Sequence, residues 1–245
     1  SMTCYIPSIE KPDALYTLHV RRFDPATDAV PHWGSYKVPF VRTLTVVEAL
    51  EYLWDQGTYI AFRANCREFT CGSCAILVNG KPRLACDTLL EDDMHLEPLS
   101  RYPVLRDLVV DTRPVRERMR ALRLWPEGMD RGAPYSPSTA ALEAFRRTYS
   151  RCIECYCCLE ACPASRSEQS AFPGPMYQLQ LARARAHPLD GLNRVGRASA
   201  EGLWQCVNCA ECREACPLEL SPVGEINRLR LRALGAWVWG LLRRS

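Results

Sequence analysis

Residues 152–163 read CIECYCCLEACP, and residues 206–217 read CVNCAECREACP. Both runs space their cysteines as Cys-x2-Cys-x2-Cys-x3-Cys-Pro: Cys152, Cys155, Cys158 and Cys162 before Pro163, then Cys206, Cys209, Cys212 and Cys216 before Pro217. Two-residue spacers let a tight loop turn three thiolates toward one [4Fe–4S] cubane, and in two-run proteins the fourth cysteine ligates the other cluster. That crossing assigns Cys152, Cys155, Cys158 and Cys216 to a first cubane, and Cys162, Cys206, Cys209 and Cys212 to a second. The trailing prolines are expected to stop each short turn and open the next helix. The two runs form an internal repeat, the strongest in the chain.

A further group lies upstream. Cys66, Cys71 and Cys74 in CREFTCGSC carry the Cys-x4-Cys-x2-Cys spacing of plant-type [2Fe–2S] sites. Cys86 completes the set, brought back toward Cys74 by a hairpin turning at Asn79-Gly80. Gly72 and Ser73 are small, so backbone amides are expected to approach the sulfurs there. A four-cysteine zinc site also tolerates such spacing, although paired CxxC knuckles are its usual form. Cys4 and Cys157 are left over and read as non-ligating thiols. His19, His32, His95 and His187 show no metal-ligand spacing.

The surroundings of these groups differ. Tyr16–Val20 alternates like a strand and pairs with Tyr36–Val41. Thr45 and Glu48 form a capping-box pattern, Val47, Leu50 and Trp54 supply an apolar stripe, and Gly57 ends the helix. Ala75–Val78 and Arg83–Cys86 flank the Asn79-Gly80 turn. Strands, one helix and more strands predict an α+β domain over residues 1–107. Beyond it come a charged segment, Arg113–Arg123, and a loop with Gly128, Gly132, Pro134 and Pro137. Helices are predicted from Ser136-Pro137 to about Ser150, over Tyr177–Ala186, and from Ser221-Pro222 to Leu242. Residues 108–245 therefore read as a helical domain.

Composition narrows the function. The chain has 245 residues and a formal net charge of +3, too balanced to suggest nucleic acid as a partner. Fourteen cysteines without an apolar leader point to a reducing, thiol-keeping compartment, where clustered cysteine means metal more often than disulfide. No apolar run is long enough to span a bilayer. No glycine fingerprint for a nucleotide follows a strand, so this chain is expected to carry electrons and leave bond-making to partners.

Taken together, CREFTCGSC, NGKPRLAC, the linker YPVLRDLVVD and the two cubane runs resemble the iron–sulfur subunit of succinate dehydrogenase and fumarate reductase, from about Tyr16 to Asn227. The resemblance implies an N-terminal β-grasp ferredoxin domain and a C-terminal α-helical ferredoxin domain. It implies an FAD-bearing flavoprotein partner, single-electron passage through three clusters, a quinone-linked membrane anchor, and a peripheral place on the cytoplasmic side of the cell membrane.

Three features depart from the family pattern. Phe69 stands where a glycine is usual. Cys209 stands where most members lack a cysteine and hold [3Fe–4S], so a second [4Fe–4S] of lower potential is expected; the alternative is a Cys209 that points away, with the three-iron form kept. Ser167 and Val207 replace a Trp and a His typical of the quinone site. That pattern resembles the non-classical branch, whose membrane-associated partner has its own cysteine-rich motif. It also leaves open a wire for a related flavoprotein not linked to quinone; a zinc-stabilised interaction scaffold is the reading from another class. Leu231, Leu234, Val238 and Leu241, with Trp237, Trp239, Arg243 and Arg244, suit a membrane interface or packing on this domain or a partner.

Overall fold

The computed structural model describes residues 14–40, 43–127, 138–148, 151–166, 170–187 and 189–242. They divide into two compact units, one running to Thr112 and taking in Ile153–Cys155, the other comprising Arg113–Cys152 and Tyr156 onward.

In the first unit, β1 (Leu15–Arg22) and β2 (His32–Pro39) pair antiparallel with Tyr16 opposite Val38. Helix α1 (Val46–Asp55) follows, then β3 (Ala75–Val78), β4 (Lys81–Leu84), β5 (Met94–Glu97), and a small hairpin of β6 (Val104–Arg106) and β7 (Val109–Val110). The main sheet has the order β2-β1-β5-β3-β4, with β1 and β5 parallel at its centre. This is the expected α+β grasp arrangement. Leu18 and Val20 of β1, Leu96 of β5, and Val46, Ala49 and Leu50 of α1 are fully buried and form its core.

Thr45 caps α1 through the predicted reciprocal box with Glu48, and Gly57, at φ +79°, lets the chain leave the helix. The stripe differs in one place. Trp54 remains 39 % exposed, its indole N–H donating to the Ile60 carbonyl at 2.6 Å; Leu53 is buried instead. The return strand also differs: β4 covers Lys81–Leu84, so Cys86 lies beyond its end.

Asp107 ties the sheet to the segment that leads into the first cysteine group. Its carboxylate accepts from Arg22 Nε at 2.9 Å, the Phe23 amide at 3.1 Å and the Ala61 amide at 2.7 Å. Burial works against the Arg22 charge, yet bonds to Asp107 and Tyr36 raise its pKa overall.

The second unit contains α2 (Arg113–Ala121), α3 (Thr139–Thr148), α4 (Cys157–Glu160), α5 (Pro175–Ala186), α6 (Arg194–Ala200), α7 (Glu211–Glu214) and α8 (Pro222–Leu242). The charged segment Arg113–Arg123 is thus a helix for most of its length. Only Val115 of α2 is buried, too little apolar signal to mark it in advance. Helix α5 is buried from Pro175 to Ala182 on every side, packed by α3, α4, α6 and α8.

Ser221 caps α8 by accepting from the Gly224 amide at 3.2 Å. The Ser136-Pro137 start signal lies outside the described residues. Pro163 opens a short 3₁₀ turn, Pro163–Ser165, but Pro217 begins only a turn, because Glu219 takes up left-handed φ of +56° and the helix waits for Pro222. Near its start α8 buries Glu225, Ile226 and Leu229, whereas Leu231, Leu234, Trp237, Val238 and Trp239 are exposed. No helix among the described residues is long and apolar enough to cross a membrane.

Candidate metal centres

The first cysteine loop is shaped by its backbone. Arg67 and Phe69 adopt left-handed φ of +56° and +61°, a conformation that costs an L-residue roughly 1–2 kcal/mol. Alternating handedness turns successive N–H groups to one side, making a concavity suited to an anion. Here that concavity holds Cys66 Sγ, which accepts from the amides of Glu68 at 3.4 Å, Thr70 at 3.3 Å and Cys71 at 3.3 Å. Hydrogen bonding from the Thr70 side chain, then from the Glu68 amide, the Cys71 side chain and the Thr70 amide, lowers the Cys66 thiol to about 6. Cys71 Sγ lies 3.1 Å from Ser73 Oγ.

Gly72 has a steric role of its own. The amides at Cys66 belong to residues 68, 70 and 71, not to Gly72 or Ser73. Gly72 has φ +70°, and a Cβ there would sit 2.6 Å from the Ile153 carbonyl oxygen and 3.0 Å from Cys155 Cβ. Only glycine allows that approach of two backbones.

Asn79 and Gly80, at φ +49° and +74°, form the tight turn that returns the chain. The Ala85 amide then bonds the Cys74 carbonyl at 3.1 Å, and Cys74 Sγ and Cys86 Sγ stand 3.4 Å apart. Burial pushes the Cys74 thiol up to about 12, with Cys86 and Cys71 adding to the rise. Cys66 interacts with Cys71, and Cys71 and Cys86 act on Cys74, so thiolates that repel one another here are of the kind a cationic iron core offsets.

The two later runs repeat each other down to their dihedral angles. The residue before the second cysteine is left-handed in both, Glu154 at φ +53° and Asn208 at +63°. So is the residue after it, Tyr156 at +70° and Ala210 at +68°. Tyr156 and Ala210 then serve as N-caps of the matching one-turn helices α4 and α7. The spacing alone did not disclose this turn, because none of the four residues is glycine.

Helix α8 holds the last loop. Arg230 donates to the Cys206 carbonyl at 2.6 Å and to the Leu203 carbonyl at 3.2 Å, and Asn227 reaches Asn208 at 3.0 Å. Burial pushes the Cys212 thiol up to about 12; Cys162, Cys206 and Cys209 raise it further, while a bond from the Val223 amide opposes them. The thiols of Cys162, Cys206 and Cys209 are therefore each within electrostatic reach of Cys212. Cys158 and Cys155 are buried, Cys152 and Cys216 half-buried, and Cys209 exposed. Cys157 is fully buried. Cys4 lies outside the described residues.

Residues 17–117 match the family model for a 2Fe-2S iron-sulfur cluster binding domain, and residues 148–220 match that for a 4Fe-4S dicluster domain. The chain is 33 % identical over 232 residues to the fumarate reductase iron-sulfur subunit of Mycobacterium tuberculosis, covering 88 % of this chain and 92 % of that protein. This protein is a fumarate reductase/succinate dehydrogenase iron–sulfur subunit by family.

A chain of the Mycobacterium smegmatis Sdh1 complex in the apo form superposes with a TM-score of 0.78 at 27 % identity, over 89 % of this chain and 96 % of that one. One of the subunits of the fumarate reductase (CoM/CoB) of Methanothermobacter marburgensis is 34 % identical over 89 % of this chain. The chain spans only 44 % of that relative, and 40 % of an iron-sulfur protein of Methanocaldococcus jannaschii that is 39 % identical to it. Against the family pattern, Phe69 carries a backbone angle that glycine adopts freely. Val207 is 64 % exposed, and Ser167 lies outside the described residues.

Proposed function

We propose that this chain is the electron-transfer subunit linking an FAD-bearing succinate dehydrogenase/fumarate reductase flavoprotein to a quinone-linked membrane partner. Residues 1–107 would hold a [2Fe–2S] cluster through Cys66, Cys71, Cys74 and Cys86. Residues 108–245 would hold one [4Fe–4S] through Cys152, Cys155, Cys158 and Cys216, and another through Cys162, Cys206, Cys209 and Cys212. The observation that carries this reading is the paired left-handed turn around Cys155 and Cys209, which gives both runs the same backbone turn, a conformation that can turn N–H groups toward an anion.

When bound, the clusters supply one-electron carriers between a two-electron flavin reaction and the acceptor. The chain's own work is to hold them at fixed positions, to limit water through the burial of Cys74, Cys158, Cys162 and Cys212, and to aim N–H groups at sulfur. The exposed Leu231, Leu234, Trp237, Val238 and Trp239 on α8 support a partner-facing surface. With that surface we place the complex peripherally, on the cytoplasmic side of the membrane.

The test is anaerobic purification of the native complex. The expected result is a brown preparation with about ten irons per chain, a co-purifying flavoprotein with FAD, and both succinate–dye and quinol–fumarate activity. A colourless, zinc-containing protein without acid-labile sulfide would establish the scaffold reading instead. A wire for a related flavoprotein without quinone is the second reading, favoured by Val207 and Ser167 where the quinone-site pattern has other residues. Dye-linked activity without quinol activity selects it.

A further inference from the structure

The first cysteine loop is held from outside itself. Arg67, directly after Cys66, donates Nε to Glu51 Oε1 at 2.7 Å, and its Nη2 reaches the same oxygen at 2.5 Å. Glu51 belongs to α1, between core residues Leu50 and Leu53, and its side chain is only 8 % exposed, against 48 % for Arg67. A carboxylate that deep in an apolar helix face is costly unless paired. Its observed partner is the residue that must adopt left-handed φ for the Glu68, Thr70 and Cys71 amides to converge on Cys66 Sγ. Two contacts from one guanidinium onto one buried oxygen tether the Arg67 side chain to α1 and so restrict the loop that carries it.

We propose that Glu51 is a positioning residue for the [2Fe–2S] cluster, acting through Arg67 to hold the Cys66 loop with its amides aimed at sulfur. The inference rests on Cys66 being a cluster ligand. Hydrogen bonds to ligand sulfur favour the more negative, reduced cluster and so raise its potential. Loosening the loop lowers that potential and lets iron escape.

The experiment uses the full chain, purified anaerobically with its clusters, as parent, Glu51→Ala, Arg67→Ala and the double variant. Loss of either charge alone shifts a potential by itself, in opposite directions for the two residues. The double variant removes an anion and a cation together, so a fall in its potential reports the amides. Three results are expected. The double variant's [2Fe–2S] midpoint potential falls below the parent's, with a changed EPR line shape in the reduced state. Release of iron from that cluster to bathophenanthroline disulfonate accelerates about tenfold in each single variant, the scale of one charge-assisted hydrogen bond. The double variant releases iron no faster than the singles, because both substitutions break one link.

Signals of the two cubanes stay as in the parent. A parent-like potential, line shape and release rate in the double variant overturns the proposal, as does strict additivity of the singles. Should Glu51→Ala fail to fold, Arg67→Ala, at an exposed position, decides alone: parent-like release there overturns it. A parent with no reducible binuclear signal at all overturns the ligand reading, and the proposal falls with it.

Discussion

Arg194 Nε lies 2.7 Å from Asp190 Oδ2, and neither side chain is more than 2 % exposed. The same guanidinium donates to the carbonyls of Leu122, Arg123 and Trp125 at 3.3, 2.7 and 2.9 Å. One cation thus satisfies three carbonyls of the segment just after α2 and neutralises a buried carboxylate. Arg194→Ala leaves Asp190 buried without its partner and is expected to destabilise the helical unit by about 3–5 kcal/mol. Chemical denaturation followed by circular dichroism measures it; a loss no larger than that of a surface substitution contradicts the assignment.

The proposed fourth ligand of the distal cluster, Cys209, is tested by that cluster's nuclearity. With Cys209 as fourth ligand, low-temperature EPR of the air-oxidised parent shows no strong three-iron signal, and Cys209→Ser gains one. A full three-iron signal in the parent refutes the second cubane.

Gly72→Ala tests the close approach near Cys155. The added methyl group meets the Ile153 carbonyl at 2.6 Å and must also adopt left-handed φ, a strain of about 1–3 kcal/mol before the clash is counted. The expected outcome is a variant with depleted iron and a lowered unfolding midpoint, read by iron analysis and thermal melting. Normal iron content at a normal midpoint would show that the backbones separate freely.

Ala210→Gly should act the other way. Ala210 holds φ +68°, and glycine relieves about 1 kcal/mol of that strain. A higher midpoint in denaturant with unchanged cluster spectra is the expected reading. A lower midpoint would mean that the methyl group contributes packing that outweighs the strain.

Acid sensitivity follows from three carboxylates. The Asp24 amide holds Asp28 below the usual carboxylate range, the Thr17 amide does the same for Asp92, and Arg123 does so for Glu127. A depressed folded-state pKa adds stability above the unfolded value near 4 that is lost as pH falls through the folded value. Denaturation midpoints should therefore hold between pH 7 and about 5 and decline below about 4. Asp92→Asn, which keeps an acceptor for the Thr17 amide but cannot titrate, should flatten part of that decline; an unchanged acid limb removes Asp92 from the account.

Much of this was legible in advance because the decisive signals are local. The capping box at Thr45, the Asn79-Gly80 turn and the Ser221 cap each involve residues within a few positions of each other, and each is found where its pattern places it. What escaped was either non-local or carried by the main chain. Glu51 carries no sequence signal of its pairing, because only the fold brings Arg67, sixteen residues on, to it. Helix α2 offers Val115 as its sole buried residue, so its charges masked it. Of the left-handed residues around Cys155 and Cys209 only Asn208 has a side chain that favours that region; the angles of Glu154, Tyr156 and Ala210 come from closing a loop rather than from residue preference.

Those angles also separate two jobs within each run. Curvature resides in the peptide planes, so the side chains mounted on it are free to differ: a carboxylate and a phenol flank Cys155, an amide and a methyl flank Cys209. One template can in this way present two unlike electronic environments, and the energetic step between neighbouring redox centres can be retuned without redesigning the cradle that houses either of them.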